Sequence, residues 1–555
     1  MTFPWLVAIS IAVAGAGWGI ARVMRRYDVA AIVSGGVILW LHAIVYFDYT
    51  SDDAYISYRY ARNFADGLGI VWNPGEHVEG YTNFLWVLVL SGLDKAGADL
   101  VLTGRWLGFG LGVVAIAGAY QLSRELLDGH AGKVAGFVAA LLLAASGPFA
   151  VWSSAGLENS LFAALVAAAA ILHVRECEHG WFPASGAVWA FAAMARPEGL
   201  LLFAVSGVFK LVETVPRIRS DDEAERTSAF DEAVWIAVWA LGFALIFAPY
   251  FAWRYVTYDW IFPNTYYAKV GDGKEQYERG LQYLQTFAQQ YAAWLVLLAP
   301  VAAAVSAIRR IPALYVFALV LAWCGYVVYV GGDGLVRLRF FSFISPLMYA
   351  LVAASAGALI AGARFERQPP RWLAEAALVV AVAGLLAFTL QPSSRDFALR
   401  DERAAMEDRI AMGRWLRDNA DSNDVIAVVA AGAIPYESRL VTIDMLGLND
   451  EHIAHREIDV GLLPAGHEKY DSQYVLDRQP DIIILVDFLT ENPFAREDYA
   501  TFEGTLIPAR VDLLKQQRLW AEYEVRAVEI EEGRWFNMLV RRAPVAVRAS
   551  ASAQP

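Results

Sequence analysis

Two aspartates, Asp52 and Asp53, stand side by side just after the second long apolar stretch of the chain. A carboxylate at the edge of a membrane span sits at the height of lipid headgroups. There it can take a proton from a hydroxyl that attacks a lipid-borne donor. The same spacing also suits a plain helix start. Ser51 is a good N-cap, and acids in a first turn are favoured by the helix dipole. Ile56, Tyr60 and Phe64 recur at helical spacing and Gly67 and Gly69 follow, which predicts a short amphipathic helix lying on the membrane surface.

Other reactive side chains follow in clusters. His77, Glu79 and Tyr81 lie in the same loop. With Asp52 and Asp53, His77 can supply oxygen and imidazole ligands for a divalent cation such as Mg, Mn or Ca. The alternative is a solvated turn after Asn73-Pro74-Gly75. Glu158 opens an apolar segment, where an acid is costly unless it caps a helix or works in a cavity. Arg196-Pro197-Glu198-Gly199 breaks two short apolar segments, and charged, interrupted backbone at membrane depth must line protein or a watery cavity. Arg196 and Glu198 can also simply pair. Residues 262–269 bring Asn264, Tyr266 and Lys269; residues 331–341 bring Asp333, Arg337 and Arg339. Arginine at headgroup level forks onto phosphate. Arg59, Arg196, Lys269, Arg337 and Arg339 are therefore candidate phosphate ligands. His77, Glu79, Tyr81, Asn264, Tyr266, Asp333 and Asp444 are candidate substrate ligands.

The elements that must position these groups are mostly membrane spans. The chain has 555 residues, 57% of them hydrophobic, with a mean hydropathy of +0.39. Its apolar blocks have the roughly 20-residue length that crosses a bilayer. They give about 12 spans: 4–23, 29–47, 100–122, 133–152, 157–174, 183–196, 199–214, 233–252, 291–308, 312–330, 341–362 and 372–390. Residues 82–97 read as a re-entrant or interfacial helix. Basic clusters such as Arg22/Arg25/Arg26, Arg124/Lys133, Arg309/Arg310 and Arg364/Arg367 then share one side, the cytoplasmic one. The first outer loop, 48–99, lies opposite. The first apolar stretch is followed by arginines and not by a cleavage site, so no cleavable signal is expected.

The chain divides at about 390 into a membrane part and a soluble part. In residues 391–555, strand-like DVIAVV, LVTIDM and PDIIILVDF alternate with helical segments, which predicts a parallel α/β sheet. Asp444 falls at a strand end, where such folds place ligands. The Gly432 turn lacks the dinucleotide fingerprint, so no nucleotide cofactor is expected. A net charge of -13 argues against a nucleic-acid partner, and two distant cysteines argue against a disulfide or thiolate metal site.

Six strings carry a resemblance. They are DDAYISYRYARNFADGLGIVWNPGEHVEGYTNFLW, AGLENSLF, ARPEG, PNTYYAK, GGDG-x-x-R-x-RFF and IDMLGLND, in that order. They resemble the mycobacterial terminal β-(1→2)-arabinofuranosyltransferase family (AftB-like), of the GT-C superfamily of polyprenyl-phosphate-dependent glycosyltransferases. The resemblance implies an inverting transfer, with Asp52 as base, Asp53 beside it and Glu158 as a second acid. It implies a decaprenyl-phosphate-arabinose donor in the bilayer, a cell-envelope glycan acceptor, and work on the extracytoplasmic side of a bacterial inner membrane. The soluble domain would position the glycan. One apolar span more than the family's pattern precedes the first loop, and the chain is shorter than the mycobacterial enzymes. Transfer of mannose or another prenyl-phosphate sugar stays open, and so does a lipid or glycan transporter. The latter would show an internal repeat with broken helices in both halves.

Overall fold

The computed structural model describes residues 3–218, 223–271, 273–306, 308–362, 371–390, 395–502 and 507–542. Among these, six helices are long and apolar enough to cross a membrane, from Pro4–Met24 to Ser345–Gly362. Five shorter apolar helices are Tyr27–Ala43, Gly129–Ala145, Ser185–Ala195, Gly199–Val212 and Val380–Thr389. With the bent pair Lys274–Gln290 and Ala293–Val305, they cover every apolar segment read from the sequence. The segment 291–308 does not form a long span of its own: its helical part is the short Ala293–Val305, which leaves the helix Lys274–Gln290 at 88°, at a break where Ala292 adopts φ 51°. Arg364 and Arg367 lie outside the described residues.

Residues 82–97 hold a helix of 12 residues, Phe84–Lys95, too short to cross a ~30 Å core. It packs on the helix Asp52–Ala65. That helix departs from expectation. It does not lie with one face in solvent: Ala54 through Ala61 are all buried. Membrane helices cover one side and the C-terminal domain covers the other. Ser51 takes the cap position without a side-chain cap bond.

The C-terminal domain opens with the helix Arg395–Asn419 and builds five strands: β1 Val425–Val428, β2 Val441–Asp444, β3 Ile482–Ile484, β4 Tyr523–Glu531 and β5 Arg534–Arg541. Their order is β2-β1-β3-β5-β4. β1 runs parallel to β2 and β3, while β5 runs antiparallel to β3 and β4. The sheet is thus mixed, not parallel throughout. The three isoleucines of β3 are buried, as a central strand covered on both faces requires. The β4–β5 hairpin turns at Gly533, at φ 68°.

A single apolar cluster runs from Tyr55, Trp72 and Trp86 to Ile434 and Phe536, so the two parts share a core. Polar contacts fix the register. Arg59 donates to the carbonyls of Trp72 (2.7 Å), Leu440 (2.8 Å) and Pro435, and to Asn73 Oδ1 (3.0 Å). Asn73 Nδ2 donates to the Thr442 carbonyl at 2.8 Å, and the Thr442 N–H donates back to Asn73 Oδ1 at 3.1 Å. Burial lowers the Arg59 guanidinium to about 9. Arg59 is therefore a docking residue and not a phosphate ligand. Arg59→Ala strands several buried carbonyls and should cost about 3 kcal/mol or more. Thermal unfolding in detergent measures this, and an unchanged midpoint would remove Arg59 from that role.

Candidate active site

A cavity of about 580 Å³ lies where the membrane helices meet the C-terminal domain. Asp53, Glu158, Arg196, Lys269, Asp333 and Arg339 line its polar part. Leu200, Phe247, Phe251 and Phe262 line an apolar flank, on which Phe262 is 45% exposed. Leu200, at 39% exposed, also opens outward on this flank. Lipid is the natural neighbour of such a surface.

The acidic pair is split. Asp53 turns into the cavity, where its carboxylate stands 3.7 Å from Arg339 Nη1. Asp52 does not line the cavity. Its oxygens accept the backbone N–H of Gly432 and of Ala433, each at 3.0 Å, and Arg409 lies 3.9 Å away. Burial pushes the Asp52 carboxyl up, against the pull of Arg409 and of the Ala433 amide. Arg409 in turn pairs with Asp487 at 2.5 Å. The geometry is that of a joint between the two parts of the chain.

Around Asp53 the charges interlock. Arg339 Nε donates to Asp333 Oδ2 at 2.6 Å. Arg196 bridges Glu158 (2.5 Å) and Glu198 (2.7 Å). Asn83 Nδ2 donates to Glu158 at 2.7 Å, and the Tyr326 hydroxyl donates to Glu198 at 2.9 Å. The broken backbone at 196–199 thus carries a buried ion network that lines the cavity. Lys269 differs. Among the described residues it has no carboxylate partner, so its ammonium is the cation at hand for an anion. Tyr81 and Tyr266 also line the cavity, hydrogen-bonded to Tyr258 and Tyr329, each at 3.1 Å.

The remaining expected ligands lie elsewhere. Arg337 is not on the cavity wall: its Nη2 donates to Tyr46 at 3.0 Å. Residues 337 and 338 both adopt left-handed φ, 60° and 52°, so Arg337 and Arg339 diverge where an extended strand would have kept them on one face. Glu79 is buried in an ion pair with Arg254 at 2.5 Å. Asn264 Nδ2 donates to the carbonyls of Gly447 (2.9 Å) and Leu448 (3.1 Å), holding the C-terminal domain. Asp444 is fully buried and accepts the N–H groups of Leu446 and Asn449, while burial pushes its carboxyl up to about 6. No ligand can reach it. His77 lines a separate hollow, so Asp52, Asp53 and His77 do not converge on a cation. Among the described residues no group of three or more His, Cys, Asp or Glu does so.

Arg254 and Arg409 have site roles that the sequence hid. Arg254 sits in an aromatic-rich helix end, where arginine reads as an anchor in the headgroups. Arg409 sits in a charged helix that reads as a solvated face.

The model for the dolichyl-phosphate-mannose-protein mannosyltransferase family matches residues 85–221, and a domain of unknown function (DUF8728) matches 397–540. No curated protein matches the sequence. The crystal structure of ArnT from Cupriavidus metallidurans bound to undecaprenyl phosphate superposes with a TM-score of 0.56 at 13% identity, over 93% of this chain and 98% of that one. The oligosaccharyltransferase AglB from Archaeoglobus fulgidus, in complex with an inhibitory peptide and a dolichol-phosphate, gives 0.45 at 13% identity, over 76% of this chain and 64% of that one. This chain therefore spans just under two thirds of AglB. Arabinosyltransferase EmbB from Mycobacterium smegmatis gives 0.36 at 15% identity, over 84% of this chain and 45% of that one. The ArnT superposition identifies the fold: a polytopic helical membrane protein of GT-C type with a C-terminal α/β domain.

The two kinds of cavity cation should respond differently to removal. Arg196→Ala leaves Glu158 and Glu198 buried without a counterion, which costs about 3–5 kcal/mol. Lys269→Ala strands no buried charge and should cost less than about 1 kcal/mol. Unfolding midpoints in detergent check both values, and equal losses would show that Lys269 has a structural partner.

Proposed function

We propose that the chain is an inverting glycosyltransferase that moves a sugar from a polyprenyl-phosphate donor to a glycan hydroxyl. The observation that carries this is one cavity holding an acid, cations and an apolar flank together. The flank suits the first isoprene units of a lipid donor. Lys269 and Arg339 suit its phosphate, and Asp53 stands beside them at 3.7 Å from Arg339. The undecaprenyl phosphate bound in the ArnT crystal structure supports the donor class.

In the transfer, Asp53 accepts the proton of the acceptor hydroxyl as its oxygen attacks the anomeric carbon. The bond from that carbon to the phosphate oxygen breaks, and prenyl phosphate leaves with the electron pair. Lys269 and Arg339 stabilise its charge in a site partly closed to water. One displacement inverts the anomeric centre. Arg196 stays neutralised by its two glutamates and holds the cavity wall. The base is thus Asp53, and Asp52 fixes its helix. The residues expected to hold a cation, Asp52, Asp53 and His77, do not converge, and the step is drawn with the chain's own side chains.

The first-loop string and its companions favour arabinofuranose from decaprenyl-phosphate-arabinose, with a cell-envelope glycan as acceptor on the outer face of a bacterial inner membrane. The family model over 85–221 keeps mannose as the second sugar to test. Purified protein is incubated with synthetic prenyl-phosphate arabinofuranose, mannose and glucose, and released prenyl phosphate is measured. Asp53→Asn should lower turnover about 10²–10⁴-fold, the usual worth of a general base. Asp52→Asn should stay within about tenfold of the parent, having lost only part of its amide contacts. Full turnover by Asp53→Asn with loss in Asp52→Asn would return the base to Asp52. Lipid flipping with no prenyl phosphate released from any donor would point to a transporter instead.

A further inference from the structure

A second hollow, of about 680 Å³, lies on the other side of the cavity wall. Two short segments form that wall. In the first loop, Val78 lines the hollow while Gly80 and Tyr81 line the cavity. In the C-terminal domain, Asn449 and Asp450 line the hollow while Leu448 lines the cavity. Asn264 ties the segments together through the Leu448 carbonyl, and its own N–H donates to the Glu79 carbonyl at 3.0 Å. The volume falls within the roughly 300–1,000 Å³ of ordinary ligand sites.

The chemistry of the hollow alternates flat rings with paired polar groups. His452 stacks on Tyr474 at 4.1 Å and is half exposed. Trp260 lies 3.9 Å from the His455 ring and donates its indole N–H to Glu451 at 3.2 Å. Arg478 donates to the Tyr474 hydroxyl at 2.8 Å and pairs with Glu76 at 3.1 Å. Among the described residues the buried Nε2 of His455 has no hydrogen-bond partner. Burial lowers the affinity of His455 for a proton, so the ring is neutral near pH 7. Glu76, Asp450 and Glu451 are then set against Arg456 and Arg478, a near balance of charge. That balance suits neither a phosphate nor a polycation.

We infer that this hollow is a binding subsite for a neutral saccharide, the non-reacting part of the acceptor glycan. A sugar ring offers apolar C–H faces to the rings, and each hydroxyl both donates and accepts among the carboxylates, Asn449 and the guanidiniums. The word acceptor rests on the transferase reading above. Saccharide binding does not.

The full chain in lipid nanodiscs is probed by saturation-transfer NMR with three linear tetrasaccharides: (1→5)-arabinofuranosyl, (1→6)-mannosyl and (1→4)-glucosyl. At least one should bind. Trp260→Ala and, separately, the exposed Arg478→Ala should each weaken it about tenfold, the loss of one ring or charged contact. Asp53→Asn should leave it unchanged. No binding by the parent chain overturns the inference. Binding untouched in a folded Trp260→Ala and in Arg478→Ala does so too, as does displacement by prenyl phosphate, which would place the sugar in the cavity. Tetralysine or tetraglutamate binding with no saccharide signal also overturns it. Saccharide binding without transfer from any donor would sink the transferase reading and leave the subsite standing; transfer without binding would do the reverse.

Discussion

The helix Asp52–Ala65 is the part on which the rest depends, because it is wedged between two bodies that both need it. Successive helical residues point about 100° apart, so two adjacent carboxylates face different surroundings. Here Asp53 faces Arg339 in the membrane part and Asp52 faces the amides of Gly432 and Ala433 in the C-terminal domain. One residue gives the cavity its acid. The next fixes the angle at which that acid is presented. Arg59, two turns further on, holds the same domain through main-chain carbonyls, and the Arg62 guanidinium lies over the Tyr436 ring, 4.1 Å from its centroid. A helix held at several points along its length has little freedom to rotate.

The charges of the cavity follow a second constraint. Buried ions are stable only when paired and hydrogen-bonded. Arg196 meets this with two glutamates, and each glutamate finds a further donor in Asn83 or Tyr326. Arg339 meets it with Asp333, with Asp53 at longer range. Each of these two arginines is thus paired with at least one carboxylate, and a protein can fold with the cavity empty. Lys269 stands outside this arrangement, on the short helix Asn264–Lys269 whose first residue grips the C-terminal domain. Its ammonium is placed by the same contacts that close the cavity. An anionic ligand would therefore meet its cation only in the docked arrangement.

Much of this was legible in the sequence, for physical reasons that also mark where legibility stops. Span length and hydropathy act locally, so each apolar segment became a helix. The charged break at 196–199 pointed to a cavity because membrane depth allows few other uses for it. Partner identity is not local. A guanidinium suits a phosphate and a row of carbonyls equally well, so Arg59 could not be told from Arg339. The left-handed residues at 337 and 338 carry no glycine to announce them, and they send Arg337 away from the cavity. Asp444 does end a strand, but the turn that follows folds back over it and closes the position. In the hairpin, β4 alternates charged and apolar residues at the sheet edge, a weaker signal than the isoleucine run of β3. The parallel sheet expected from the sequence rests on β1 to β3, and the hairpin makes it mixed.

The joint between the two parts reads backbone far more than side chains. Asp52 accepts main-chain amides, Arg59 and Asn264 donate to main-chain carbonyls, and Asn73 does both at Thr442. Such an interface tolerates change in the residues it touches but not in the path of the chain. The glycines at the joint show the same constraint. A Cβ on Gly432 would collide with the Asp52 main chain, and one on Gly80 would collide with the Asn449 side chain. Close approach, and not flexibility, is what those positions require. The segments that pass through this joint, 78–81 and 448–450, are the ones that separate the cavity from the second hollow. Any movement of the C-terminal domain would shift both spaces and the Asp53 helix at once. The cavity, Asp53 and the second hollow therefore share one set of contacts, although the chain builds them from two architectures.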